Sequence, residues 1–166
     1  MLNRQRLAAG LLVLALEMSP LTPATVRAQS TNQSIQGVWQ AVEVNINGHT
    51  VKPQAELTLF TKSHYSRTEV QSEQPRAPLQ DPAKATADEL RAVWGPFVGE
   101  AGTYELTGDH LITMRAMVAK NPAAMTNGAF RTFSYRIEGE TIIVTLLRNQ
   151  DGPITPQITI KAVKIE

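Results

Sequence analysis

After position 36 the chain is written in short runs in which apolar and polar residues alternate, each closed by turn residues about every eight to twelve positions. The first run, SIQGVWQAVEVNIN at positions 34–47, carries Gly37-Val38-Trp39 at its start. It ends in Asn47-Gly48, a dipeptide suited to a tight hairpin. A short run follows Gly48, and β-rich runs then cover positions 55–62, 64–71, 102–107, 110–119, 129–138, 141–149 and 158–165. Their joints fall at Lys62-Ser63, Gly108-Asp109 and Gly139-Glu140. Hairpin joints link antiparallel strands, whereas parallel strands need crossover helices. The pattern therefore predicts an all-β fold, an up-and-down antiparallel barrel of about eight strands with one short helix.

The helix is expected where Thr86-Ala87-Asp88-Glu89 forms a capping box, Leu90, Val93 and Trp94 share a face, and Gly95-Pro96 ends the turn. With the Pro-rich segment QPRAPLQDP before it, it makes a long insertion at 72–98. Such an insertion serves either as a mobile lid or as a cork in the open end.

Ahead of the strands lies a different kind of segment. Arg4 and Arg6 precede ten mostly apolar residues at 7–16, and Val26-Arg27-Ala28 resembles a small-residue cleavage site. Residues 1–28 read as a secretory signal peptide, 29–36 as a flexible polar arm, and 37–166 as one barrel domain. Ten apolar residues interrupted by Glu17 are too few to span a bilayer, which needs about 20 in a helix. A secreted or periplasmic location follows, with no membrane anchor once the signal is removed. The chain has no cysteine, so the domain must hold together without disulfides. Loss of the leader removes three of the 16 basic and one of the 15 acidic residues, leaving 13 and 14. A balance so near zero offers nucleic acid no electrostatic footing.

Several quoted segments resemble the bacterial lipocalin-like domain family: Gly37-Val38-Trp39, Phe60-Thr61-Lys62-Ser63-His64-Tyr65-Ser66, Pro75-Arg76, Gly102-Thr103-Tyr104-Glu105 and Arg148-Asn149-Gln150-Asp151-Gly152-Pro153. The resemblance spans nearly all of 37–166. It implies a small lipocalin-like barrel with a cavity, closed at one end by Trp39. Classical lipocalins stack an Arg over that Trp; here Arg148, Lys161 and Lys164 are the only late candidates.

If Trp39 points inward, strict alternation places Ala41, Glu43 and Asn45 inside, and Val38, Val42 and Val44 outside unless a β-bulge resets the phase. An interior Glu43 would need Arg67 or Arg115 as a partner; otherwise it sits solvated at a rim. Tyr65 and Tyr104, with Tyr135 as a third, suit a pocket wall, offering apolar rings with polar tips. Arg67, Arg115 and Arg136 could bind a carboxylate. The candidate ligand residues are thus Trp39, Glu43, Tyr65, Arg67, Tyr104 and Arg115.

Assembled catalytic sets are not found. His49, His64 and His110 lie on or beside turns without metal-ligand spacing, and no cofactor fingerprint occurs, so neither metal nor cofactor is expected. Ser63 and His64 are neighbours, and on a strand they would face opposite sides. The leading expectation is an exported barrel binding a small apolar or amphipathic ligand. An isomerase or cyclase using Glu43 and Tyr65 is one alternative. The other is an oligomeric or partner-binding module, using outward Val42 and Val44.

Overall fold

The computed structural model describes residues 34–166, position 109 excepted. The expected leader and the first part of the arm lie outside the described residues. Nine strands run in chain order: β1 (Gly37–Ile46), β2 (His49–Val51), β3 (Ala55–Phe60), β4 (His64–Val70), β5 (Phe97–Thr107), β6 (Leu111–Ala119), β7 (Arg131–Glu138), β8 (Thr141–Asn149) and β9 (Gly152–Lys164). One α-helix, α1 (Ala87–Trp94), and one 3-10 turn, Pro122–Met125, complete the described elements. Every neighbouring pair is antiparallel, and β9 returns to pair with β1 from Trp39 opposite Lys164 to Ile46 opposite Ile158. The wall therefore closes on itself.

β2 and β3 act as two halves of one wall strand. Both pair with β1 on the same side, but β2 places Val51 opposite Val44 while β3 places Leu57 opposite Gln40. The break falls at Lys52-Pro53-Gln54, where proline has no N–H for the ladder. Counting them as one gives the eight-stranded closed barrel. Strands β5 and β9 begin earlier than alternation predicts, at Phe97 and Gly152, and their added lengths extend the wall. At the first hairpin Asn47 and Gly48 both take positive φ, 53° and 83°, the backbone that a right-twisted two-residue turn requires.

The apolar core gathers at the end where Trp39 lies, with Ile35, Phe60, Tyr65, Tyr104, Ile112, Met114 and Ile142 around it. Trp39 is only 2% exposed, and its indole Nε1 donates to the carbonyl oxygen of Ile35 at 2.7 Å. Ile35 is itself buried, so the last part of the expected arm belongs to the barrel floor. The side-chain nitrogen of Lys164 stands 5.6 Å from the Trp39 ring centroid, within cation–π range. Lys164 thus takes the place over the indole, whereas exposed Arg148 lies over Phe130.

Gly37 explains how that lysine gets there. A Cβ at Gly37 would come within 2.6 Å of Lys164 Cε and 2.3 Å of the Glu166 carbonyl oxygen, and φ is +130°. Only glycine lets the lysine stem cross the strand start and reach the ring.

A bulge between Ala41 and Glu43 in the pairing of β1 with β9 corrects the phase carried forward from Trp39. Two residues of β1 are accommodated against one step of the partner, which turns the following side chains over. Ala41 is buried as expected, but Val42 and Glu43 are both exposed, and Val44 and Ile46 turn inward to line the cavity.

The insertion does not cork the barrel: its first residues, Ser72 and Glu73, line the mouth, and its helix stays exposed. α1 forms as its capping box dictates: Thr86 Oγ1 accepts from the Glu89 backbone N–H, and the Thr86 N–H donates to Glu89 Oε2 at 2.7 Å. No residue of α1 is buried; Leu90 and Trp94 are 38% and 53% exposed. The helix end is held beside the barrel by Arg76, which donates to the Val93 carbonyl at 2.8 Å, and by Lys120, which donates to those of Trp94, Gly95 and Phe97. Among the described residues no helix is long and apolar enough to cross a membrane.

Candidate functional site

Inward positions on β4 follow one another at period two: Tyr65, Arg67 and Glu69. On the neighbouring strand β3, Glu56, Thr58 and Phe60 point inward, while Leu57 and Leu59 stand on the outer face, 38% and 41% exposed. This inverts the usual alternation and puts a carboxyl inside beside Arg67. Arg67 Nε donates to Glu56 Oε1 at 3.0 Å, and its Nη2 donates to Glu69 Oε2. A second pair follows around the wall, where Arg131 Nη2 donates to Glu100 Oε1. Glu56, Glu69 and Glu100 are all buried, at 4%, 9% and 7% exposure.

This charged layer lies at the boundary between two spaces. Below it is a small pocket of about 50 Å³, lined by Trp39, Phe60, Ile112, Met114, Glu56 and Arg67 among others. Above it is a mouth of about 520 Å³, within the range of small-molecule sites. Val44, Ile46, Phe133, Leu146, Ile158 and Ile160 supply its apolar wall, Arg67, Glu69 and Arg131 its polar groups, and His49, Lys52 and Glu73 line it as well. Arg67, Phe133 and Ile160 border both spaces.

Burial shapes the titration of the layer. Removal from water raises the Glu56 carboxyl above its ordinary 4.5; Arg67 pulls it down, and Glu69 adds to the rise. Burial lowers the Arg67 guanidinium, but Glu56 and Glu69 outweigh that and hold it above its ordinary value, so it stays charged. The Tyr65 hydroxyl is raised above its ordinary 10.0 by burial first and by Glu100 second. Two buried oxygens, Glu56 Oε2 and the Tyr65 hydroxyl, have no hydrogen-bond partner among the described residues.

The six residues expected at a ligand site separate into three groups. Arg67 is at the centre of the layer and lines both spaces, and Trp39 lines the lower pocket. Tyr65 and Tyr104 point inward but border neither space; Tyr104 donates its hydroxyl proton to the Thr61 carbonyl at 2.6 Å and meets Phe60 edge-on at 5.2 Å. Glu43 and Arg115 lie outside the barrel and are exposed, Glu43 because of the bulge and Arg115 over the Phe130 ring at 5.8 Å. An exposed Glu43 cannot form an interior acid-base pair with Tyr65, which removes the isomerase or cyclase mechanism built on those two residues. Of the two valines suggested for a partner surface, Val42 is exposed and Val44 turns inward.

One further expectation changes. Ser63 Oγ and His64 Nδ1 are 3.0 Å apart, because Ser63 belongs to the turn and escapes strand alternation. Both residues are exposed, so this pair stands away from either cavity. Among the described residues no three His, Asp or Glu side chains gather as a metal site.

Glu56, Glu69, Glu100 and Arg131 were not singled out by the sequence reading. A signal for one of them existed: with Tyr65 inward, period two carries Arg67 and Glu69 to the same face. Glu56 and Glu100 had no such marker, since apolar residues beside them claim the interior by pattern alone.

The fold and its cavity define a closed antiparallel barrel with a wide, partly apolar mouth over an ionic layer. No family model and no curated protein matches the chain. Among solved structures it is similar to an uncharacterised protein from Bacteroides eggerthii DSM 20697, at 14% identity and a TM-score of 0.45. That likeness covers 78% of this chain and 98% of the other.

Proposed function

We propose that the protein is an exported, lipocalin-like carrier that reversibly binds a small amphipathic molecule in the barrel mouth. The observation that carries this reading is the mouth itself: about 520 Å³ of space between six apolar wall residues and a buried ionic layer. An apolar body would replace water along Val44, Ile46 and Ile158, which drives association, while the polar groups fix its direction. Export rests on the leader-like pattern at 1–28, and family membership on the resemblance of 37–166.

A neutral solvatochromic dye such as Nile red tests the reading. It should bind with one-to-one saturation and raise the melting temperature, because a ligand that binds only the folded state stabilises it. Ile158→Arg, placing a long charged side chain in the mouth, should weaken the dye by about tenfold or more, equivalent to about 1.4 kcal/mol. Absence of saturable binding, or identical binding by the variant, would reject the mouth as the site.

A further inference from the structure

We propose that the mouth selects amphiphiles headed by a hydrogen-bond-donating cation, a primary ammonium on an apolar body, over those headed by a carboxylate. This deepens the reading of the mouth as a ligand site and rests on it. The charge balance of the layer carries the argument. Three buried carboxyls, Glu56, Glu69 and Glu100, face two guanidiniums, Arg67 and Arg131, a formal excess of one negative charge.

Both arginines are already engaged. Arg67 is shared between Glu56 and Glu69, and Arg131 is paired with Glu100. Glu69 is the acid of this layer that lines the mouth, and among the described residues only its Oε2 accepts a hydrogen bond. Its Oε1 takes no hydrogen bond from the protein among the described residues and, unlike Glu56 Oε2, is not sealed off, so it is free to accept from an occupant of the mouth. An ammonium supplies three donors and one positive charge, which meets both deficits. A carboxylate would add a second uncompensated negative charge where screening by water is weakest.

The layer can respond to such a head group. With Glu69 engaged by the ligand, Arg67 is released toward Glu56, whose Oε2 has no partner among the described residues. The remaining N–H groups of Arg131 face the opposite demand, since they could receive a carboxylate. His49, Lys52 and Glu73 also line the mouth; Lys52, Glu73 and His49 are exposed, and salt screens them. The charge excess therefore decides the head group.

Competition against the bound dye separates the outcomes, using decylammonium, decanoate and decanol below their aggregation limits at pH 7. Decylammonium should bind about tenfold or more tighter than decanoate, with decanol between them, and Glu69→Gln should reduce that ratio to about threefold or less. Decanoate binding as tightly as decylammonium, or a ratio unchanged in Glu69→Gln, overturns the proposal. Should Glu69→Gln fail to fold, the ratio in the unaltered protein decides alone. Dye binding without head-group preference refutes only this inference, whereas no dye binding refutes the ligand site as well.

Discussion

Replacing Arg67 with Met should destabilise the barrel by about 3–5 kcal/mol, the cost of leaving buried charges without their partner. Glu56 and Glu69 both depend on that guanidinium, whose side chain is 14% exposed. Urea unfolding of the variant measures the loss directly. Replacing all three residues together, Glu56→Leu, Arg67→Met and Glu69→Leu, should recover most of it, because an apolar triad of similar volume has no charge to desolvate. A cost below about 1 kcal/mol for Arg67→Met alone would show that water reaches and screens the layer.

The same layer sets a pH dependence. The Glu56 carboxyl is raised in the fold above its ordinary 4.5, so over the interval between those values the folded state holds more protons than the unfolded one. Stability contributed by that proton is complete below 4.5 and declines as pH rises through the folded value. Glu56→Gln should abolish this part of the decline. Arg67→Met should carry it to higher pH, since the guanidinium is what pulls the carboxyl down.

Trp39→Ala is the second large effect, about 3–5 kcal/mol for emptying a fully buried aromatic site. The indole fills the closed end, and its Nε1 satisfies the Ile35 carbonyl. Trp39→Phe should cost less, because the ring volume is mostly kept and only that hydrogen bond and part of the contact with Lys164 are lost. Equilibrium unfolding of both variants checks the order. If Trp39→Ala were no more harmful than Trp39→Phe, the floor would not depend on the indole.

Turn chemistry made much of the fold legible. Asn47-Gly48 and the Thr86 to Glu89 capping box take the forms expected of them, and the strands fall where alternation marks them except that β5 and β9 start earlier. Trp39 was legible as an interior residue, whereas Arg67 was expected only as a partner for Glu43 or a carboxylate, although period two from an inward Tyr65 carries it to the same face. Phase was harder to read, because alternation propagates only while pairing stays regular. The bulge between Ala41 and Glu43 turned Glu43 out and Val44 in.

Polarity misled in a second way. Glu56 and Glu100 are buried because each has an arginine on another part of the wall, Arg67 or Arg131. Such pairing spans 11 residues in one case and 31 in the other, beyond what local pattern encodes. Leu57 and Leu59 then occupy the outer face, where β-branched and apolar residues still suit a strand.

Methyl chemical shifts during titration with Nile red locate the occupant most directly. The account predicts that Val44, Ile46, Ile158 and Ile160 respond together and saturate at one equivalent, with Leu57 and Leu59 unmoved. Shifts confined to Val42, Leu57 and Leu59 would place the dye on the outer wall and contradict a carrier that holds its guest inside.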